Sequence, residues 1–332
     1  MGDKTKIEWC DATWNPIVGC TRVSEGCRNC YAERTAHRFS APGLCYEGLT
    51  VLSNGHPSWT GRVKFDEDAL LRPLKWRRPR RIFVDSMSDL FHESVTDEQR
   101  DRIYAVMALC PQHTFVALTK RAERMCDYLR TREVENRVAT VVEDMTDDFA
   151  FVWPLANVEH GVSVEDQLAA DERIPVLLRT PSARRIVSAE PLLAPIQMDY
   201  YFVDPRTLQC SGFIPRIDHL SGYCVRCGGH IHDPVHLFPG GRIDQVIVGA
   251  ESGPGARPMH PNWVRSLRDQ CVKAGVPFFF KQWGDWLPAM CDGAPGDGQV
   301  INASDDAIRV GKKAAGRLLD GRTWDEMPGR AQ

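Results

Sequence analysis

Three thiols stand close together in the segment Thr13-Trp14-Asn15-Pro16-Ile17-Val18-Gly19-Cys20-Thr21-Arg22-Val23-Ser24-Glu25-Gly26-Cys27-Arg28-Asn29-Cys30-Tyr31-Ala32-Glu33, spaced C-x6-C-x2-C in a loop that contains glycine. Three neighbouring thiolates suit an iron-sulfur cluster, and a 4Fe-4S cluster held by three cysteines keeps one iron open to a substrate or cofactor. Zinc ordinarily takes four closed ligands, and no histidine lies inside this loop, His37 being the nearest. Reduced structural thiols are the third reading. A second group, Cys210, Cys224 and Cys227, reads as a zinc knuckle built on Tyr223-Cys224-Val225-Arg226-Cys227-Gly228-Gly229. His232 is its expected fourth ligand, with His219, His230 and His236 as alternatives; a second cluster or free thiols remain open.

The elements that must position these groups repeat from about residue 80 to 285: a β-rich apolar run, a polar cluster, then an amphipathic helix. Strands are expected at 81–85, 114–119, 158–164, 185–188, 245–249 and 277–281, with a first one near 14–18. Several are apolar on both faces, as buried parallel strands require. Thr96 and Gln99 form a capping box, and Pro261 and Gly275 bracket another helix. The fold expected is α/β, a partial or complete parallel β/α barrel, with an open doubly wound sheet as the alternative. At the carboxyl ends of such strands, where active sites form, stand Asp85, Ser88, Asp89, Lys120, Ser163, Glu165, Glu190, Glu251 and Lys281 as candidate cofactor or substrate contacts. Cys110, Cys126 and Cys271 fall in apolar helix patterns and read as core.

Around this frame, residues 1–34 hold the first strand and cysteine loop, and 35–80 a loop-rich connector. That connector ends in the basic run Arg72 to Arg81, a solvated face or a phosphate-contacting patch with Trp76 free to stack. Residues 81–199 and 243–285 make the barrel core, 200–242 the Cys/His insertion, and 286–332 a basic extension. The segment Gly311-Lys312-Lys313 lacks the glycine and hydroxyl residue of a phosphate-binding loop. Twelve cysteines without an apolar leader favour metal over disulfides. No run of about eighteen apolar residues occurs, so the expectation is a soluble cytoplasmic protein without membrane contact. The formal net charge of −3 advertises no overall basic field.

The three-cysteine loop after a first strand resembles the radical S-adenosylmethionine superfamily, spore photoproduct lyase-like members included. More closely, the chain resembles a phage-associated three-cysteine-motif family, radical-SAM-like and without an assigned function. The likeness runs through Thr13 to Glu33, Asp85 to Glu93, Leu118 to Arg121, Gly161 to Gln167, Ser188 to Leu193, Val248 to Gly253 and Phe280 to Gly284. It implies Cys20, Cys27 and Cys30 as ligands of a 4Fe-4S cluster whose open iron binds S-adenosylmethionine, reductively cleaved to a 5'-deoxyadenosyl radical. It also implies an electron donor such as flavodoxin or ferredoxin, and leaves room for a companion protein. The first cysteine gap is longer than the common three residues, Asn29 replaces the usual aromatic, and the glycine-glycine-glutamate element after the second strand is absent. Nucleic-acid modification or repair is the leading expectation. Alternatives are radical modification of a peptide or small metabolite, a zinc-stabilised nucleic-acid-binding module without catalysis, and hydrolysis by Asp89, Glu165 and Glu190.

Overall fold

The computed structural model describes residues 5–147, 150–202, 241–288 and 307–329. The strands, in chain order, are β1 Ala12–Trp14, β2 Ile17–Val18, β3 Thr50–Ser53, β4 His56–Trp59, β5 Lys64–Phe65, β6 Arg81–Val84, β7 Thr114–Thr119, β8 Val158–Ser163, β9 Arg184–Ala189, β10 Gln245–Gly249, β11 Phe278–Gln282, β12 Trp286–Pro288 and β13 Ala307–Arg309. The helices are α1 Tyr31–Arg38, α2 Glu67–Leu70, α3 Asp97–Ala108, α4 Ala122–Arg130, α5 Val134–Met145, α6 Gln167–Arg179, α7 Pro261–Ala274 and α8 Lys312–Ala315.

Seven strands form one sheet in the order β1-β6-β7-β8-β9-β10-β11, and every neighbouring pair is parallel. The order never reverses. Right-handed crossovers therefore place all connecting helices on one face, which curls the sheet into a partial barrel and excludes the doubly wound alternative. The expected first strand is split, because Pro16 has no N–H for a sheet ladder. β1 stays in the sheet, whereas β2 turns away and pairs antiparallel with β5.

Period-two alternation sorts the side chains. One set faces the helices, where Ile82, Val84, Phe115, Val162, Val187, Val248, Phe278 and Phe280 join Ile103, Leu129, Ile174 and Leu267 in the main core. The other set, Phe83, Val116, Leu118, Ile186, Ile247 and Phe279, packs with Trp9 inside the barrel. Below it, at the strands' amino ends, Glu159 is buried between Arg81 (2.7 Å) and Arg184 (2.9 Å). Helix boundaries follow local signals: Thr96 and Gln99 complete the capping box of α3, and Gly275 closes α7 at φ +66°. Cys110, Cys126 and Cys271 are buried.

The segment after β11 is integral to the fold. β13 pairs with β12, and Phe280 N–H donates to Trp324 O (2.9 Å), covering the edge that β11 would leave open. Among the described residues, no helix is long and apolar enough to cross a membrane.

Candidate functional site

A cavity of about 390 Å³ opens at the carboxyl mouth of the barrel. Cys20, Cys27 and Cys30 all line it, together with Asp85, Ser88, Asp89, Lys120, Ser163, Ser188, Glu190, Glu251 and Lys281. Its lining includes no histidine among the described residues. His37, the nearest imidazole in sequence, instead meets Thr50 Oγ1 at 3.1 Å. Among the described residues, no three His, Cys, Asp or Glu side chains gather tightly enough for a single metal ion. Cys210, Cys224, Cys227 and His232 lie outside the described residues, and so does the zinc insertion they were expected to form.

The cysteine loop spans the mouth and is fastened at three places. At its start, Arg121 donates to Thr21 Oγ1 (2.6 Å), Asp89 (3.0 Å) and Glu93 (2.8 Å), and its Nη1 lies 3.9 Å from Cys20 Sγ. Burial alone would lower the Arg121 pKa, but the charges of Asp89 and Glu93 reverse this and raise it. Asp89 is held in turn by Thr119 Oγ1 (2.7 Å), Phe91 N–H (2.9 Å) and Lys120 N–H (3.3 Å). His92 accepts from Ser94 N–H at Nδ1, so its Nε2–H donates to Thr21 Oγ1 (3.1 Å). Burial and the Arg121 charge lower its pKa, which keeps the ring neutral.

At mid-loop, Gly26 rests on Glu165 and Lys120, close enough that a Cβ there would stand 3.0 Å from the carboxylate. Glu165 pairs with Arg173 (3.0 Å) and is absent from the cavity wall, so this candidate contact is a support beneath the loop. Burial would raise its pKa, but Lys120, Ser24 and Arg173 hold it below the usual range. At the loop's end, Glu251 accepts from Asn29 Nδ2 (2.9 Å), Arg257 N–H (2.8 Å) and Arg257 Nε (3.0 Å), while Arg257 also reaches Glu25 (3.1 Å). Those bonds outweigh burial and lower the Glu251 pKa.

The thiols themselves sit in contrasting surroundings. Cys30 is the residue before α1; its thiol makes no capping hydrogen bond, and burial raises its pKa, opposed by the backbone amides of Ala32 and Glu33. Burial and the Asp89 charge push the Cys20 thiol up to about 12, opposed by Arg121. Charge on Cys27 or Cys30 disfavours ionisation of Cys20, and charge on Cys27 disfavours that of Cys30. A cationic group among them would reverse that penalty, so the donor set fits an iron-sulfur cluster.

Deeper in the cavity, Lys281 and Glu190 form a pair at 2.9 Å, each mostly sequestered from water. Burial would lower the Lys281 pKa, but the Glu190 charge and hydrogen bond raise it. Gly249 makes room for this carboxylate, since a Cβ would fall 2.4 Å from Glu190 Oε1. Asp85 is a structural hinge as well as a wall residue. It adopts φ +53°, and its Oδ1 accepts from Ile17 N–H (3.0 Å), fixing the chain where it leaves β1. Burial raises its pKa well above normal. Ser88 likewise donates inward, to Ile17 O (2.9 Å).

Two expectations shift with the geometry. The basic run Arg72 to Arg81 precedes β6, so it lies at the amino end of the barrel, opposite the cavity. Trp76 is not free to stack there: it is buried, edge-on to His113 and beneath the Arg80 guanidinium. Conversely Lys312, 30 residues beyond β11, returns to line the mouth and meets Glu8 at 3.2 Å. Arg121, Arg173 and Arg257 were missing from the candidate contacts. Arg121 had the signal of its place beside Lys120 at the carboxyl end of β7, whereas Arg173 and Arg257 had only their closeness in sequence to Glu165 and Glu251.

No curated protein and no solved structure matches this chain. A family model described as a protein of unknown function, DUF5131, matches residues 4–328, and the chain belongs to that family.

Proposed function

We propose that this protein is an iron-sulfur enzyme of the radical S-adenosylmethionine type, with Cys20, Cys27 and Cys30 holding a 4Fe-4S cluster at the barrel mouth. The observation that carries the reading is that three thiols from one short loop line a single cavity at the carboxyl ends of parallel strands, with no imidazole among the described residues of its wall. Three protein thiolates leave one iron of a 4Fe-4S cluster open, and such a cluster supplies reductive cleavage of bound S-adenosylmethionine to a 5'-deoxyadenosyl radical.

The chain's own residues do the positioning. Arg121, Glu165 and Glu251 anchor the loop at three points, which fixes the spacing of the thiols before anything binds. Trp9, Phe83 and Leu118 give the cavity an apolar floor that excludes water from a reactive radical. Ser163, Ser188 and the Lys281–Glu190 pair supply polar contacts to an amino-acid or ribose group. Reduction calls for a donor of the flavodoxin or ferredoxin class, and a companion protein is compatible with the open mouth.

The test is anaerobic purification with iron, sulfide and zinc counted per chain, followed by reduction with S-adenosylmethionine. About four irons, lost in Cys27→Ala, together with 5'-deoxyadenosine are expected. Zinc without iron from iron-replete anaerobic expression refutes the proposal and favours a metal-stabilised binding module.

A further inference from the structure

We infer that the basic strap Arg72 to Arg81 is a docking surface for duplex nucleic acid, gripping the phosphate backbone without reading its sequence. It leads into the amino end of β6, away from the cavity, so it stands apart from the proposed radical chemistry and goes beyond it.

From Ala69 to Val84, 16 residues hold six Lys or Arg and no Asp or Glu, in a chain of net charge −3. Not all six are available. Arg81 turns inward to Glu159 (2.7 Å), and Arg80 is half-buried with its guanidinium 4.7 Å from the centre of the Trp76 ring. Lys75, Arg77 and Arg78 are exposed and make no ion pair among the described residues. Neighbouring elements do little to neutralise them. The turn Leu109 to His113, which touches the strap through Gln112, carries no acid, and at the start of β1 Asp11 is already bonded to Arg81 N–H (2.7 Å). Upstream on α2, Glu67 is taken by Arg102 (2.7 Å), which leaves Asp68 as the acid nearest in sequence. A positive strap on a net-negative molecule concentrates polyanions at that place.

The backbone beneath these side chains is fixed. Pro73 opens a short 3-10 turn, Trp76 N–H donates to Pro73 O (3.0 Å), Gln112 Nε2 to Trp76 O (3.3 Å) and Thr114 N–H to Arg80 O (2.8 Å). A strap held before binding loses little freedom on meeting a regular array of charges such as a phosphate backbone. Arg77 and Arg78 carry planar forks matched to phosphate oxygens, which favours nucleic acid over a lipid surface that point charges serve equally well. The strap's one aromatic, Trp76, is buried, so it offers no ring to unpaired bases. Stacking, which holds single strands, is therefore missing, and contact with phosphates alone suits a duplex. A redox partner is a poor occupant here, since it must approach the thiols at the other end.

The experiment is fluorescence anisotropy of a labelled mixed-sequence DNA duplex, titrated with the full-length protein purified anaerobically. Three phosphate contacts predict about 40-fold weaker binding on going from about 50 to 200 mM salt. Arg77→Glu/Arg78→Glu should bind at least about tenfold more weakly, and Arg77→Lys/Arg78→Lys within about threefold of the parent. Lys273→Glu/Lys313→Glu changes the net charge equally at exposed sites elsewhere and should stay within about twofold, with equal melting temperatures showing that every variant folds. A duplex of unrelated sequence should bind equally well, and the single strand no more tightly than the duplex. Absence of duplex binding, tighter binding of the single strand, or equal loss in both charge-reversed variants overturns the inference. Capture by anionic phospholipid vesicles without duplex binding overturns it in favour of a lipid surface.

Discussion

Replacing Arg121 with Met tests whether the mouth is held together as described. The guanidinium and Asp89 are both nearly sealed from water, with side chains 5% and 8% exposed and 3.0 Å apart. Removing one member of such a pair strands the other charge, at a cost of about 3–5 kcal/mol. Asp89 keeps donors from Thr119, Phe91 and Lys120, which places the loss near the low end, about 3 kcal/mol. For a chain of this length each kcal/mol corresponds to roughly 1.4 °C, so the melting temperature should drop by roughly 4 °C. Calorimetry measures it. Adding Asp89→Asn removes the stranded charge, so the double variant should be milder than the sum of the two singles by about 1–2 kcal/mol. The Cys20 end of the loop should loosen as Thr21 loses Arg121 and keeps only the His92 donor, seen as faster amide exchange from Cys20 to Arg22. A single variant within about 1 kcal/mol of the parent, or a fully additive double, would refute the account of Arg121 as the keystone.

Two further outcomes follow from the same geometry. Asp85→Asn keeps an oxygen for Ile17 N–H, tolerates φ +53° and no longer forces a buried carboxyl to ionise, so at neutral pH it should match or exceed the parent's stability. Asp85→Ala should lose about 1–3 kcal/mol in a denaturant titration at that pH, and a destabilised Asn variant would contradict this role. For Glu251 the folded pKa is depressed, so its stabilisation is complete above the unfolded carboxyl value near 4.3 and fades as pH falls through the lower folded value. The stability gap between parent and Glu251→Gln should therefore be constant from about pH 7 to 5 and narrow below about 4.5. A gap unchanged into strong acid would contradict the Arg257 pairing.

Much of the scaffold was written locally. The strands at 114–119 and 245–249 appear where their apolar runs predict, because a strand buried on both faces needs apolar residues throughout and little else does. The Thr96–Gln99 box and Gly275 set helix ends through groups only a few residues apart. The three cysteines were legible by type and spacing, and the carboxyl-end rule placed most candidate contacts on one wall.

What the sequence left undecided were pairings between distant residues. Glu251 meets Asn29 across 222 positions and Arg121 meets Thr21 across 100, and nothing local distinguishes these acids and arginines from solvated ones. Hence Glu165 read as a wall residue until the fold placed Arg173 beside it and the cavity elsewhere. The run Arg72 to Arg81 read as a solvated face or a phosphate-contacting patch, because charge is visible in a sequence whereas the end of the barrel it occupies is not. Sequence alone determined a parallel βα scaffold carrying three thiols in one loop. Only the tertiary structure decided which charges those thiols face, since ion pairing depends on distance through space, and the strand order alone sets that distance.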